Sequence, residues 1–319
     1  MKKNSAIKLF LFCFGLFLLF ALIYRAGFSE IIRVVAGAKL YLAFLGVLVY
    51  LMVILIRSYK WFLLIKTIQD GINYRRFVPL FLINFLIGNL TPFKFGEAAT
   101  PVLFKKYLKI PLGRGFSVIV LDRFFELVVF NIILVSAVFY ILNQGIQNNL
   151  ALSVFRVMFI AVFLLLAVFI TVIISKKITM GMLRFFRILR FAEKELDGFY
   201  DAVSLFKNKR TYHLIIPLTI MGWFFEFLSF YLIFNAVFSV SFINIAAAQS
   251  ITAAATFVSF IPGGIGVGEV GMVYILGLMG YPFILTASGA VLASLFLNAV
   301  LFIAGLAGFI SVKKKECSA

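Results

Sequence analysis

Charge, cysteine and histidine are all scarce in this 319-residue chain, and each shortage closes off a class of protein. Charged residues make up 13% of the sequence and hydrophobic ones 64%, whereas a soluble domain carries roughly 25% charged residues. Too few polar side chains are present to clothe a water-soluble fold of this size, so the chain needs a solvent other than water. Two cysteines, Cys13 in the first apolar run and Cys317 in the basic tail, cannot build a disulfide framework. The ending Cys317-Ser318-Ala319 is one residue short of a prenylation box, so no lipid anchor is expected. The one histidine, His213, stands at a span end, which leaves no material for histidine-based metal or triad chemistry; no cofactor or metal is expected. No long polar stretch could hold a second, soluble domain, and residues 1–319 are read as a single membrane domain.

Acidic residues are also few: 12 Asp and Glu against 30 Lys and Arg, for a net charge of +18. In a soluble protein that balance would suggest nucleic acid. Here the basic residues fall mainly between apolar runs, the pattern that orients a membrane protein and draws anionic lipid head groups. Nucleic acid is therefore not an expected partner; membrane lipids with anionic head groups are. Met1-Lys2-Lys3 with Lys8 and an apolar run resembles a signal peptide, but no small-residue cleavage site precedes Tyr24-Arg25, so the run is read as an uncleaved first span.

A helix needs about 20 apolar residues to cross the hydrocarbon core. The sequence predicts an all-α polytopic protein with six full spans, at 8–24, 40–65, 116–142, 154–175, 212–237 and 283–312. Two further apolar regions, Phe77 to Leu108 and Ile245 to Gly280, are interrupted by Asn89-Leu90-Thr91-Pro92-Phe93-Lys94-Phe95-Gly96-Glu97 and by Ile261-Pro262-Gly263-Gly264-Ile265-Gly266-Val267-Gly268-Glu269. Each arm is about 12 residues, near 18 Å as a helix and too short to cross alone. Such pairs are expected to form re-entrant helical hairpins, whose irregular backbone must be buried in protein or line a cavity.

If both hairpins return to their side of entry, the basic stretches after the second and fourth spans, both termini included, lie on one face. That face is cytoplasmic under the positive-inside rule, in a cell membrane. The loops at 143–149 and 239–244 fall outside and carry no charge; the first outer loop, with Arg25, Arg33 and Lys39 against Glu30, is the exception. The hairpins then enter from opposite sides, each flanked by two spans, which makes residues 40–142 and 212–312 an inverted repeat. Matching broken helices in inverted halves point to a transporter-type site at the midplane. Residues 176–211 form a basic cytoplasmic segment; its apolar residues recur at helical spacing, fitting either a helix on the inner membrane surface or a solvated linker.

Charges placed inside apolar runs are costly and often functional. Lys94, Glu97, Asp122, Arg123, Glu126, Glu226 and Glu269 all stand in or beside the breaks or within a span. Asp122, Arg123 and Glu126 share a helix face, so Arg123 is either neutralised by its own helix or turned toward the first break. Glu97 and Glu269 begin the second arms of the hairpins, where capping and a role in binding or proton coupling both fit. Lys94 and free N–H groups at helix starts suit an anion such as phosphate. Pro262 with Gly263, Gly264, Gly266 and Gly268 offers backbone N–H groups without side-chain obstruction, or simply a flexible break. Arg57, Lys60 and Trp61 close the second span, as interfacial anchors or as recruiters of head groups.

The two breaks, together with Gly113-Arg114-Gly115-Phe116-Ser117 and Asp122-Arg123-Phe124-Phe125-Glu126, resemble the lysylphosphatidylglycerol synthase transmembrane-region family, also called flippase-like domain proteins. The resemblance runs from about the second span to the last, and Pro262-Gly263-Gly264-Ile265-Gly266-Val267 with Glu269 is its most specific piece. It implies a membrane domain that moves or handles lipids, either aminoacylated phosphatidylglycerol or polyprenyl-linked intermediates. The family's synthases carry a soluble aminoacyl-transferring domain after the membrane part, and this chain stops at Ala319. The expected function is thus a flippase-like protein that translocates or handles an anionic lipid or polyprenyl-phosphate-linked intermediate. The alternatives are a membrane-embedded enzyme acting on a lipid or polyprenyl phosphate, with Asp122 and Glu126 as acid and base, and a non-transporting partner that recruits other membrane proteins through its basic inner face. Further copies of the chain or a membrane enzyme are the protein partners considered.

Overall fold

The computed structural model describes residues 2–145, 149–185, 189–208 and 211–317, with some side chains among them, 92–95 included, outside the description. The described residues are helical, joined by short turns, and contain no strand. In chain order the helices are α1 (Lys2–Ala26), α2 (Phe28–Ala36), α3 (Leu40–Ile68), α4 (Tyr74–Asn89), α5 (Thr100–Leu108), α6 (Leu112–Asn143) and α7 (Asn149–Ile174). They continue with α8 (Lys176–Phe185), α9 (Leu189–Asn208), α10 (Tyr212–Val237), α11 (Phe242–Val258), α12 (Val267–Leu278) and α13 (Phe283–Cys317). Short 3-10 runs, Pro92–Ala99 and Pro262–Gly264, fill the two sequence interruptions.

Four helices, α3, α6, α10 and α13, are long and apolar enough to cross a bilayer. A fifth crossing comes from α1 and α2 if this pair, bent by 76° at Gly27, counts as one span. The expected 154–175 span lies within α7, whose described apolar stretch is Phe159–Ile174. Outward-facing side chains explain how this surface lives in lipid. Phe17, Phe20, Tyr41, Phe44, Ile132, Phe139, Phe163, Leu295 and Ile303 are all exposed large hydrophobics on long helices, an apolar surface far beyond what a soluble monomer presents.

In lipid the hydrophobic effect does not drive helices together, so close packing and interhelical hydrogen bonds must do it. The α3–α10 pair shows how. Gly46 of α3 lets the backbone of α10 approach until an added Cβ would lie 2.9 Å from the Ser229 carbonyl oxygen, and the Ser229 hydroxyl donates to the Gly46 carbonyl at 2.8 Å. Two further pairings are reciprocal: α4 packs on α13, and α11 packs on α6. At the start of α11, Tyr140 of α6 donates to Asn244 Oδ1, and Asn244 Nδ2 donates to Tyr281, each at 2.8 Å. Between the first two apolar runs, Arg25 lies over the Phe283 ring and Arg33 pairs with Glu30 at 2.9 Å.

The segment read as a surface helix or a linker does neither in full. In α9 the residues Leu196, Phe199, Ala202, Val203 and Phe206 are buried against α6 and α3, and Glu195 accepts from the Gly113 N–H at 2.7 Å. Its apolar face therefore packs on protein rather than on head groups. Residues 186–188 and 209–210 of that segment lie outside the described residues.

Two apolar clusters fill the interior. One gathers Leu127, Phe130, Leu134, Ile233, Phe234, Ile251, Met272 and Leu297; the other gathers Ile54, Trp61, Leu64, Phe77, Phe81, Phe125, Phe206 and Leu301. Both α6 and α13 pass from one cluster to the other, between Phe125 and Leu127 and between Leu297 and Leu301. Glu126 and Asn298 stand at those crossings, and both line a cavity. The polar site is thus a layer between two greasy ends.

Candidate functional site: a charged cavity between the two breaks

The cavity measures about 390 Å³ and is walled by α3, α4, α6, α10, α11, α12, α13 and both interruptions. It lies within the ordinary range for small-ligand sites. The interruptions meet here: a Cβ added to Gly263 would lie 3.3 Å from the carbonyl oxygen of Asn89.

In the first break, α4 ends at Asn89 because Pro92 cannot continue its hydrogen bonding. Thr91 holds the turn, its hydroxyl accepting from the Gly96 N–H at 2.7 Å while donating toward the carbonyl oxygens of Ile87 and Gly88. That turn swings Glu97 inward to meet Arg123 of α6. Arg123 Nε donates to Glu97 Oε2 at 2.9 Å and Arg123 Nη2 to Glu97 Oε1, a bidentate fork. Asp122 is a secondary neighbour of Arg123 at 3.9 Å. Arg123 is therefore turned toward the first break, with Glu97 as its main partner. Glu97 begins no helix, since α5 starts at Thr100. The backbone of Lys94 lies in the 3-10 run, and its side chain is outside the described residues.

Arg57, Lys60 and Trp61 face the protein interior and line the cavity. Helix α3 continues for about two turns past Trp61, and Lys60 is only 1% exposed. Its ammonium lies 2.9 Å from Asp122 Oδ1 and also pairs with Glu126. The Asp122 contact has an ion-pair distance without hydrogen-bond geometry, so Oδ1 has no hydrogen-bond partner among the described residues. Arg57 pairs with Glu226 of α10 at 2.5 Å and lies over the Trp223 ring. The reading of these residues as span-end anchors is corrected by their packing: Lys60 and Trp61 are buried, and Arg57 and Lys60 are ion-paired to α10 and α6 across the cavity. The same ion pairing leaves Asp122 and Glu126 held by one ammonium.

The second break is built differently. Phe260, Gly263, Gly264 and Gly266 all take positive φ, which an L side chain adopts only at a cost. The expectation that the glycine amides stand free is corrected in part. The Gly264 N–H donates to the Ile261 carbonyl at 3.0 Å, and the Gly266 N–H donates to Glu269 Oε2 at 2.6 Å. Glu269 thus caps α12, and its other oxygen accepts from the Ser294 hydroxyl of α13. Asn298 Nδ2 in turn donates to Ser294 Oγ at 3.1 Å. Pro262 sets the turn, and Gly263, Gly264 and Gly268 line the cavity.

Sequence reasoning passed over three contributors. Ser294 and Asn298 of α13 carry no charge and no motif, so only the fold reveals them. The packing of α1 on the second break was equally invisible: a Cβ on Gly266 would lie 2.1 Å from the Gly15 carbonyl oxygen. Two lining polar atoms, Trp223 Nε1 and Thr252 Oγ1, are buried without a hydrogen-bond partner among the described residues. Among those residues no cluster of His, Cys, Asp and Glu suited to a metal was found.

An all-helical, multi-pass membrane fold enclosing a charged cavity defines the class. Within it, the family model for the lysylphosphatidylglycerol synthase TM region matches residues 5–305, and the chain belongs to that family. It is similar to a UPF0104 membrane protein of Methanocaldococcus jannaschii, 25% identical over 274 residues, covering 80% of each chain. A UPF0104 membrane protein of Methanothermobacter thermautotrophicus is 25% identical over 306 residues, covering 89% of this chain and 87% of its own. One from Pyrococcus horikoshii is 24% identical, with 82% and 84% covered.

Proposed function

We propose that this protein moves or handles a lipid with an anionic head group, a phospholipid or a polyprenyl-phosphate-linked intermediate, by admitting the head group to the charged cavity. The observation that carries the reading is the Arg123–Glu97 fork at the wall of a mid-depth cavity. A guanidinium fork that fits a carboxylate fits a phosphate equally well. A head group would displace Glu97 from Arg123, with Arg57 and Lys60 nearby to share its charge. Lys94, in the same break, is proposed to assist. A cavity of about 390 Å³ suits a head group and leaves the tails outside. Leu90 and Phe302 line the cavity yet are 41% and 45% exposed, so the space reaches the surface on the apolar side where tails would lie.

Further support comes from the packing. The reciprocal contacts of α4 with α13 and α11 with α6, about a central α3–α10 pair, fit two opposed span–hairpin–span units. With α1 and α7 they give the six-span, two-hairpin inverted repeat proposed here. The basic stretches then face the cytoplasm with both termini, in a cell membrane.

The test is reconstitution into vesicles with fluorescent lipids of defined head group. Wild-type protein is expected to accelerate movement of phosphatidylglycerol between leaflets, and Arg123→Ala to lower that rate sharply. Equal movement by wild type and by both Arg123→Ala and Lys94→Ala would remove the proposed site.

A further inference from the structure

The charge balance of the cavity points to its energetics. Among the described residues three cations, Arg57, Lys60 and Arg123, face five carboxylates: Glu97, Asp122, Glu126, Glu226 and Glu269. Even a fourth cation from the first break would leave carboxylates in excess. Ion pairs among the described residues engage four of the five acids. Glu269 is the exception: it is 5% exposed, and its partners are the Gly266 N–H and the Ser294 hydroxyl, both neutral. Among the described residues, the elements packed around it bring no other charge against it. From α11, Gln249, Thr252 and Thr256 line this side, and from α13, Ser294 and Asn298. On α1, which packs on α12, Cys13, Tyr24 and Arg25 are all exposed, and the side chains of Lys2, Lys3 and Lys8 lie outside the described residues. The remaining titratable lining groups, Tyr50 and the ion-paired residues, belong to α3, the first break, α6 and α10.

An uncompensated carboxylate in a cavity that must also admit an anion is a physical conflict, because each unpaired charge at bilayer depth is costly. We infer that Glu269 is the proton-binding group of this cavity, taking up a proton as an anionic head group enters and releasing it as the head group leaves. The inference rests on the lipid-handling reading above. The hydrogen bonds fit the exchange. On protonation at Oε1, the Glu269 carboxyl would donate to Ser294 Oγ, whose hydroxyl hydrogen would rotate away from it. The Gly266 N–H would stay on Oε2, so the proton moves without unwinding α12. A sodium ion fits less well, since Glu269 Oε1, Oε2 and Ser294 Oγ already receive hydrogen-bond donors. The buried, unpartnered Thr252 Oγ1 is an independent sign that a ligand completes this side of the cavity. It is 3% exposed, and an added Cβ at Gly271, one turn from the capped end of α12, would lie 3.1 Å from it.

Two measurements test the inference on the intact protein. In detergent, binding of phosphatidylglycerol is titrated calorimetrically in two buffers of different protonation enthalpy. The expected result is uptake of about one proton per lipid bound in wild type, none in Glu269→Gln, and sodium-independent affinity. In vesicles, a gradient of one pH unit is expected to shift the steady-state leaflet distribution of the fluorescent lipid by up to about tenfold. In Glu269→Gln the gradient is expected no longer to shift that distribution, whatever the rate of movement. Ser294→Ala, which keeps the carboxylate and removes one donor, is expected to fold and to change proton uptake, and it carries the test should Glu269→Gln not fold. Lipid binding without proton uptake in wild type, or uptake unchanged in both variants, overturns the inference while the lipid-handling reading stands. Uptake replaced by sodium dependence also overturns it. Absence of lipid binding and of lipid movement in wild type overturns both.

Discussion

The two interruptions occupy matching places in the chain and solve the same problem in opposite ways. The first breaks a helix with proline and threonine and brings in a carboxylate that finds an arginine 26 residues later. The second breaks a helix with proline and glycines and brings in a carboxylate that finds a serine 25 residues later. One half of the cavity is therefore held by ion pairs and the other by neutral hydrogen bonds and close backbone contact. Breaking a buried ion pair leaves a stranded charge, whereas removing a neutral donor leaves at most one unmet hydrogen bond. The first half should be brittle to charge removal, and the second brittle to added bulk.

The largest expected effect comes from Lys60→Met. It strands Asp122 and Glu126 in the interior and should cost about 3–5 kcal/mol, read as a large fall in thermal stability in detergent. Adding Asp122→Asn and Glu126→Gln should recover much of the loss; a triple variant no more stable than the single would show that Lys60 acts through packing. Next is Arg123→Lys, which keeps the charge but loses the fork. Lipid movement should fall roughly tenfold, as expected for about 1.4 kcal/mol, with little change in stability.

In the second half, Gly266→Ala must place a Cβ at φ +83 and 2.1 Å from the Gly15 carbonyl oxygen. A loss of about 1–3 kcal/mol is expected from the backbone strain alone. Gly268→Ala, whose added Cβ meets only Thr256 Cγ2 at 3.8 Å, should be close to neutral. Similar melting temperatures for the two variants would show that the α1 contact does not hold the break. The smallest effect belongs to Asp197→Ala. The Lys176–Asp197 pair is exposed at both ends, and solvent screening should make its removal undetectable by the same assay.

Much of the fold was legible because lipid leaves few options. A chain this apolar must hide its backbone in helices, and the long runs of α3, α6, α10 and α13 announced themselves by length. Helix ends were less legible. Helix α3 extends beyond the expected Ile65 to Ile68, and the packing of α6 and α10 against it turns Arg57, Lys60 and Trp61 into the cavity wall. Local sequence could not show it, because Trp, Lys and Arg mark span ends as often as polar cavities.

Of the site residues, the charged ones stood out because charge within an apolar run is conspicuous. Their partners did not. Nothing in the spacing of Lys60 and Asp122, or of Glu97 and Arg123, identifies them as pairs, since each joins different elements. Ser294 and Asn298 gave no signal at all; a serine and an asparagine inside a span are compatible with any helix contact.

From the sequence alone came the solvent, the helices and the two interruptions, because these follow from how many apolar residues stand in a row and where proline and glycine stop them. Only the tertiary structure decided which charges neutralise one another, that α9 packs on protein, and that α1 covers the second break. Those outcomes depend on distances between residues far apart in the chain, which composition and periodicity do not encode.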